Sequence, residues 1–129
     1  MAARSQTTTG VIMPRFSVII PTHNRCELLK EALASLWVQT FTDYEVIVID
    51  DGSSDGTWEY LQSVGPRIRA FRQPNNGPGA ARNLGAKHAT GAYLALLDSD
   101  DLWLPWTLKV YDKLISKYDS PAIVSGSIT

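Results

Sequence analysis

From Phe16 onward, short strand-like runs alternate with helix-length amphipathic segments. That alternation leaves few folds open to the chain. The runs are FSVII at 16–20, EVIVI at 45–49, 67–72 and AYLALL at 92–97, with AIVSGSI at 122–128 as the start of a fifth. Between the first two, Leu29, Ala32, Leu33 and Leu36 fall at the i, i+3, i+4, i+7 spacing of a helix face, with Asn24 as N-cap and Glu27 three residues on as in a capping box. TWEYLQSV follows the Asp, Ser and Gly of residues 50–56, which read as a loop and helix cap. A small-residue helix at 80–89 closes near Gly91, and Pro105 suits the first turn of a last helix on which Leu108, Tyr111 and Ile115 share a face. Strands alternating with helices imply right-handed βαβ crossovers and an α/β fold with a mostly parallel sheet. The near-continuous apolar character of EVIVI and YLALL agrees, because strands of such sheets are covered on both faces.

The 129 residues suit one domain, read as 15–129, behind a Thr-rich tail at 1–14 that lacks acidic residues and is expected to be flexible. Lys and Arg are scattered and the formal net charge is -1, so the sequence offers no basic face for nucleic acid. No apolar run approaches the roughly 20 residues of a transmembrane helix. Cys26 is the single cysteine, so no internal disulfide points to an oxidising compartment, and a cytoplasmic location follows, with the inner face of the membrane left open.

Polar residues gather where strands end, at 22–25, 50–55 and 98–101. In open α/β sheets ligands lie beyond the carboxyl ends of the strands, so these three loops should converge. The last is the most demanding: LLDSDDLW at 96–103 places three carboxylates within four residues. Two unit charges about 4 Å apart repel by about 4 kcal/mol at an effective dielectric of about 20. Residues 92–107 contain no Lys or Arg to offset this. A divalent cation is the natural candidate, since oxygen ligands from a short loop suit Mg²⁺ or Mn²⁺ completed by water or diphosphate oxygens. Two other readings stand beside it. The carboxylates could simply favour the N-terminus of the next helix, worth about 0.3–1 kcal/mol, or one aspartate could accept phosphate as in receiver domains.

The motifs VIIPTHNR, VIVIDDGSSDGT, NNGPGAARNLGAKHATGAYLALLD and DSDDLW, in that order from Phe16 to about Trp106, together resemble the inverting glycosyltransferases of family 2, with the GT-A fold. The resemblance implies a nucleotide-sugar site and a UDP-sugar donor. In it Pro21 and Thr22 lie against base and ribose, with Asn24 and Arg25 in the same loop, and Asp51 accepts a hydrogen bond from the uracil ring N–H. Arg82 contacts nucleotide or diphosphate. Asp98, Ser99 and Asp100 form the family's DxD motif, with Asp100 and Asp101 as ligands of Mn²⁺ or Mg²⁺. It also implies an acceptor hydroxyl on a glycan, lipid or protein, and a general base from an acceptor-binding half beyond Thr129.

The residues support these roles to different degrees. A carboxylate only accepts hydrogen bonds, so Asp51 can select a base that presents an N–H, but the residues alone favour helix capping or loop structure. Arg82 reads also as a solvated helix residue. The backbone of residues 77–81 could offer N–H groups to phosphate at a helix start. His23 adjoins the nucleotide loop, whereas His88 fits an exposed helix end. Trp103 and Trp106 read as core residues or as a sugar pocket. Two functions remain in play, the donor part of a metal-dependent glycosyltransferase and a non-catalytic α/β module that binds nucleotide or a partner protein.

Overall fold

The four strand candidates from 16 to 97 all become strands and pair side by side in parallel. In the computed structural model, which describes residues 13–118, β1 (Phe16–Thr22), β2 (Tyr44–Asp51), β3 (Arg69–Gln73) and β4 (Tyr93–Leu96) form one sheet in the order β3-β2-β1-β4. Helices α1 (Cys26–Trp37), α2 (Thr57–Val64), α3 (Pro78–His88) and α4 (Thr107–Lys117) fill the connections. The order reverses beside β1, with β2 on one side and β4 on the other, which makes the carboxyl ends of the central strands the place for a ligand crevice.

Side-chain alternation distributes the core over two faces. Phe16, Val18 and Ile20 of β1 and Val46 and Val48 of β2 pack in one cluster with Leu29, Leu33 and Leu36 of α1, Leu61 of α2 and Leu108, Tyr111 and Ile115 of α4. The opposite face carries Ile47 and Ile49, with Ala81 and Ala89 from α3 and its C-terminal end. Here α3 lies almost on the strand. A Cβ built on Gly85 would stand 2.5 Å from Ile19 Cγ2, so the small residues of this helix are what let it approach.

Strand and helix limits differ from the sequence reading where tertiary contacts intervene. Strands β1 and β2 run two residues further, to Thr22 and Asp51, and β3 is shifted to Arg69–Gln73. Helix α3 starts at Pro78, with proline in the first turn where its missing N–H is harmless. Asn24 does not cap α1; Arg25 occupies the N-cap position and Asn24 takes a left-handed φ of 50°. Its side-chain oxygen instead accepts the N–H of Ser54 at 2.7 Å, and its own N–H donates to Ser53 Oγ at 2.9 Å, so a contact between loops outcompetes the local cap. Glu27 accepts from Lys30 at 3.0 Å and closes no capping box. Pro105 precedes α4, because its carbonyl accepts Thr40 N–H at 2.8 Å while Thr107 begins the helix. The fifth strand at 122–128 and residues 1–12 of the tail lie outside the described residues. Among the described residues no helix is long and apolar enough to cross a membrane.

Candidate functional site

The three strand-end loops do converge. They surround a cleft of about 390 Å³, within the usual size of small-molecule sites. Pro21, Thr22 and Arg25 line it from the end of β1, Asp51 from the end of β2, Arg82 from α3, and Asp98, Ser99 and Asp100 from the loop after β4. His23, Asn75, Gly77 and Pro78 complete the wall. Of the residues that the sequence assigns to donor or metal, Asn24 and Asp101 are not among the lining. Asn24 is spent on the Ser53–Ser54 turn, and Asp101 lines a neighbouring cavity of about 290 Å³ with Arg82, Asp98 and Trp103.

Adjacent aspartates do unlike jobs because alternation points them to opposite faces. Asp50 is fully buried, accepts Ser53 N–H at 3.0 Å and sits 3.7 Å from Arg72 Nε, whose guanidinium also donates to Ser53 O. It braces the turn. Thr22 is its register partner, so the Thr22 hydroxyl belongs to that face; Thr22 Oγ1 and Asp50 Oδ2 are both buried with no hydrogen-bond partner among the described residues. Asp51 faces the cleft side, 4% exposed, and does not cap α2. Gly56 occupies the N-cap position, at a φ of 93°, and Asp55 before it accepts the N–H of Thr57 on Oδ1 at 3.0 Å.

Asp51 is instead clamped by the loop after β3. Its Oδ1 accepts from Gln73 Nε2 at 2.8 Å and Asn76 N at 2.7 Å, and its Oδ2 from Gly77 N at 3.0 Å. Burial pushes its carboxyl up, but these three donors and the nearby His23 outweigh it and hold the pKa below the ordinary carboxylate value. A carboxylate has about four acceptor positions, so about one remains, on Oδ2. This clamp also alters the phosphate expectation for residues 77–81. Gly77 N–H is committed to Asp51 and Pro78 has none, leaving Gly79 and Ala80 as N–H groups at the start of α3 without an intrahelical acceptor. Gly52, at φ +74°, lets the two loops meet, since a Cβ there would fall 2.9 Å from Asn75 N.

His23 is held in one orientation: its Nδ1 lies 2.7 Å from Asp51 O, which can only accept, so Nδ1 carries the proton there and Nε2 accepts from Asn24 and Asn75 side-chain amides. His88 is far from the cleft chemistry and stacks flat on Phe71, with ring centroids 3.8 Å apart. Trp103 is buried edge-on against Tyr111, whereas Trp106 is half exposed, so only the first is a core residue.

The acidic loop curls on itself, Asp101 N–H donating to Asp98 O at 3.0 Å, and carboxylate oxygens of Asp98, Asp100 and Asp101 come within 4.8 Å of one another. Residues 92–107 supply no side-chain cation, but other elements do. Arg82 Nη2 holds Asp98 Oδ1 at 2.9 Å and Arg25 Nη1 holds Asp100 Oδ2 at 2.9 Å, both delivered from other elements. Asp101 has no salt-bridge partner among the described residues. The donor set, carboxylate oxygens alone at close range, fits a hard dication such as Mn²⁺ or Mg²⁺.

The profile of glycosyl transferase family 2 matches residues 17–128. The chain belongs to this family. It is 44% identical over 106 residues to an uncharacterized glycosyltransferase of Rickettsia felis, across 80% of this chain and 17% of that protein. Among solved structures it is similar to Staphylococcus aureus TarS 1-349 in complex with UDP, at 35% identity and a TM-score of 0.74, across 81% of this chain and 33% of that one. It is also similar to the mannosyltransferase PcManGT from Pyrobaculum calidifontis in complex with GDP-Man and Mn²⁺, at 30% identity, a TM-score of 0.72 and the same coverage. The fold is therefore GT-A, and the chain spans between about a sixth and a third of the length of these relatives.

Proposed function

We propose that residues 15–129 form a nucleotide-sugar-binding domain that presents a UDP-sugar for metal-dependent hexosyl transfer, with inversion, to an acceptor hydroxyl of a glycan, lipid or protein. One observation carries the reading: a single cleft brings together a clamped carboxylate with a spare acceptor position, two arginines and the carboxylates of Asp98 and Asp100, with that of Asp101 clustered beside them from the neighbouring cavity. These are the groups needed for a base with a ring N–H, a diphosphate and a dication. UDP-bound TarS and Mn²⁺-bound PcManGT support it by likeness.

In this reading Pro21 and Thr22 lie along base and ribose, and Asp51 Oδ2 accepts the uracil N3–H, which cytosine lacks. Asp98, Ser99 and Asp100 face the ribose and diphosphate, and Arg82 and Arg25 offer planar guanidinium forks suited to phosphate oxygens. Asp100 and Asp101 hold Mn²⁺ or Mg²⁺, which supplies Lewis-acid stabilisation of the charge on the departing nucleoside diphosphate. The inverting attack also requires a base for the acceptor proton. On the family pattern that base is an Asp or Glu of the acceptor-binding half, so donor binding is the activity assigned to the residues present.

Calorimetric titration with UDP, with and without MnCl₂, tests the reading. Binding that strengthens with Mn²⁺ and is lost in Asp100→Ala and Asp101→Ala variants supports it. UDP binding indifferent to Mn²⁺ and to both substitutions would instead identify a metal-free nucleotide module.

A further inference from the structure

The two arginines that reach the acidic loop come from separate elements, Arg25 from the turn into α1 and Arg82 from α3. Each binds one carboxylate oxygen at 2.9 Å, with side chains between 36% and 49% exposed. Pairs this exposed are worth about 1 kcal/mol or less, so they hold the side chains in place without locking them. A guanidinium and a dication compete for the same carboxylate lone pairs. A guanidinium has no acceptor, so once displaced it needs another anion, and the cleft that Arg25 and Arg82 both line is where the diphosphate is placed above.

We infer that Arg25 and Arg82 are resident counter-ions of the acidic loop, neutralising Asp100 and Asp98 before the donor arrives, and that Arg25 passes to the diphosphate when a divalent cation takes Asp100 and Asp101. The inference rests on the donor reading and adds a coupling to it. Three carboxylates and two guanidinium groups leave one net negative charge in the cluster. A dication alone turns that to one net positive charge, and the doubly charged diphosphate of a nucleotide sugar alone turns it to three net negative charges. Both together leave it at one negative, so each ligand should favour the other, a coupling between sites with a definite sign. Arg25 is the sharper test, because Asp100, which it occupies, is a proposed metal ligand.

The test uses the full chain, with Mn²⁺ binding followed alone by electron paramagnetic resonance of the free ion and UDP binding by calorimetry with and without MnCl₂. Thermal unfolding of each variant confirms that the exposed pair is not needed for folding. Arg25→Gln should bind Mn²⁺ alone about two- to fivefold more tightly, since a competing cation worth up to roughly 1 kcal/mol is gone. The same variant should bind UDP in the presence of Mn²⁺ at least about tenfold more weakly, having lost a charged phosphate contact. Arg25→Lys should keep Mn²⁺ affinity near wild type. If Arg25→Gln leaves Mn²⁺ affinity unchanged or lowers it, the exchange is wrong while the donor reading stands. If Mn²⁺ tightens but UDP affinity does not fall, the handover of Arg25 to the diphosphate is wrong. If the wild-type chain binds neither Mn²⁺ nor UDP, the donor reading fails and takes the inference with it.

Discussion

Asp51→Asn probes how much of this aspartate serves the fold before any ligand arrives. The carboxylate accepts three hydrogen bonds from the 73–77 loop, and each bond to a charged group contributes about 1.5–3 kcal/mol net. An asparagine keeps one acceptor oxygen and replaces the other with a donor. In the cheaper orientation the oxygen stays with Gln73 and Asn76, and the new NH₂ opposes the N–H of Gly77. One charge-assisted bond is then lost and one buried donor stranded, for an expected loss of about 2–3 kcal/mol. At roughly 4 °C per kcal/mol for a domain of this size, Tm should drop by about 8–12 °C. The pH dependence follows from the lowered carboxyl pKa. The folded protein takes up this proton less readily than the unfolded chain, so the stabilisation is complete above the unfolded value of about 3.9 and fades as pH falls through the folded one. Urea unfolding followed by circular dichroism at pH 7, and again near pH 3, measures both effects. A gap between wild type and variant below about 0.5 kcal/mol at pH 7, or one that widens in acid, would refute the clamp.

Gly85→Val should destabilise by at least about 1–3 kcal/mol in the same urea assay, because its Cβ would press on Ile19 Cγ2 at 2.5 Å; an unchanged midpoint would mean α3 sits further from β1. Trp103→Ala should cost about 3–5 kcal/mol, whereas Trp106→Ala, half exposed, should stay within about 0.5 kcal/mol by thermal unfolding. Equal losses at the two tryptophans would contradict the burial assigned to them.

The parallel sheet was legible because EVIVI is too apolar for a strand with a wet face, and the cleft because its residues stand where strands end; AYLALL, read the same way, leaves Leu96 exposed among the described residues. What a local window cannot contain was missed. The count of cations over residues 92–107 was correct, yet Arg25 and Arg82 lie 75 and 16 positions from the aspartates they bind, and only the crossover topology brings them together. Asn24 has the composition of a cap, but the β2–α2 loop offered its side chain a better donor in Ser54 N–H. Asp51 read, apart from the resemblance, as a capping or loop residue, since its partners at 73, 76 and 77 belong to another loop. A signal for that clamp was present in the run QPNNG, whose Gly77 takes a φ of +93° and whose two asparagines suit a tight turn.

Crystals grown with UDP and MnCl₂, with diffraction collected at the manganese edge, test the central claim most directly. The account predicts an anomalous peak within about 2.5 Å of carboxylate oxygens of Asp100 and Asp101, joined to the diphosphate, with uracil N3 within hydrogen-bond distance of Asp51 Oδ2. Ordered UDP elsewhere on the chain, or UDP in the cleft with no manganese on the acidic loop, would contradict it.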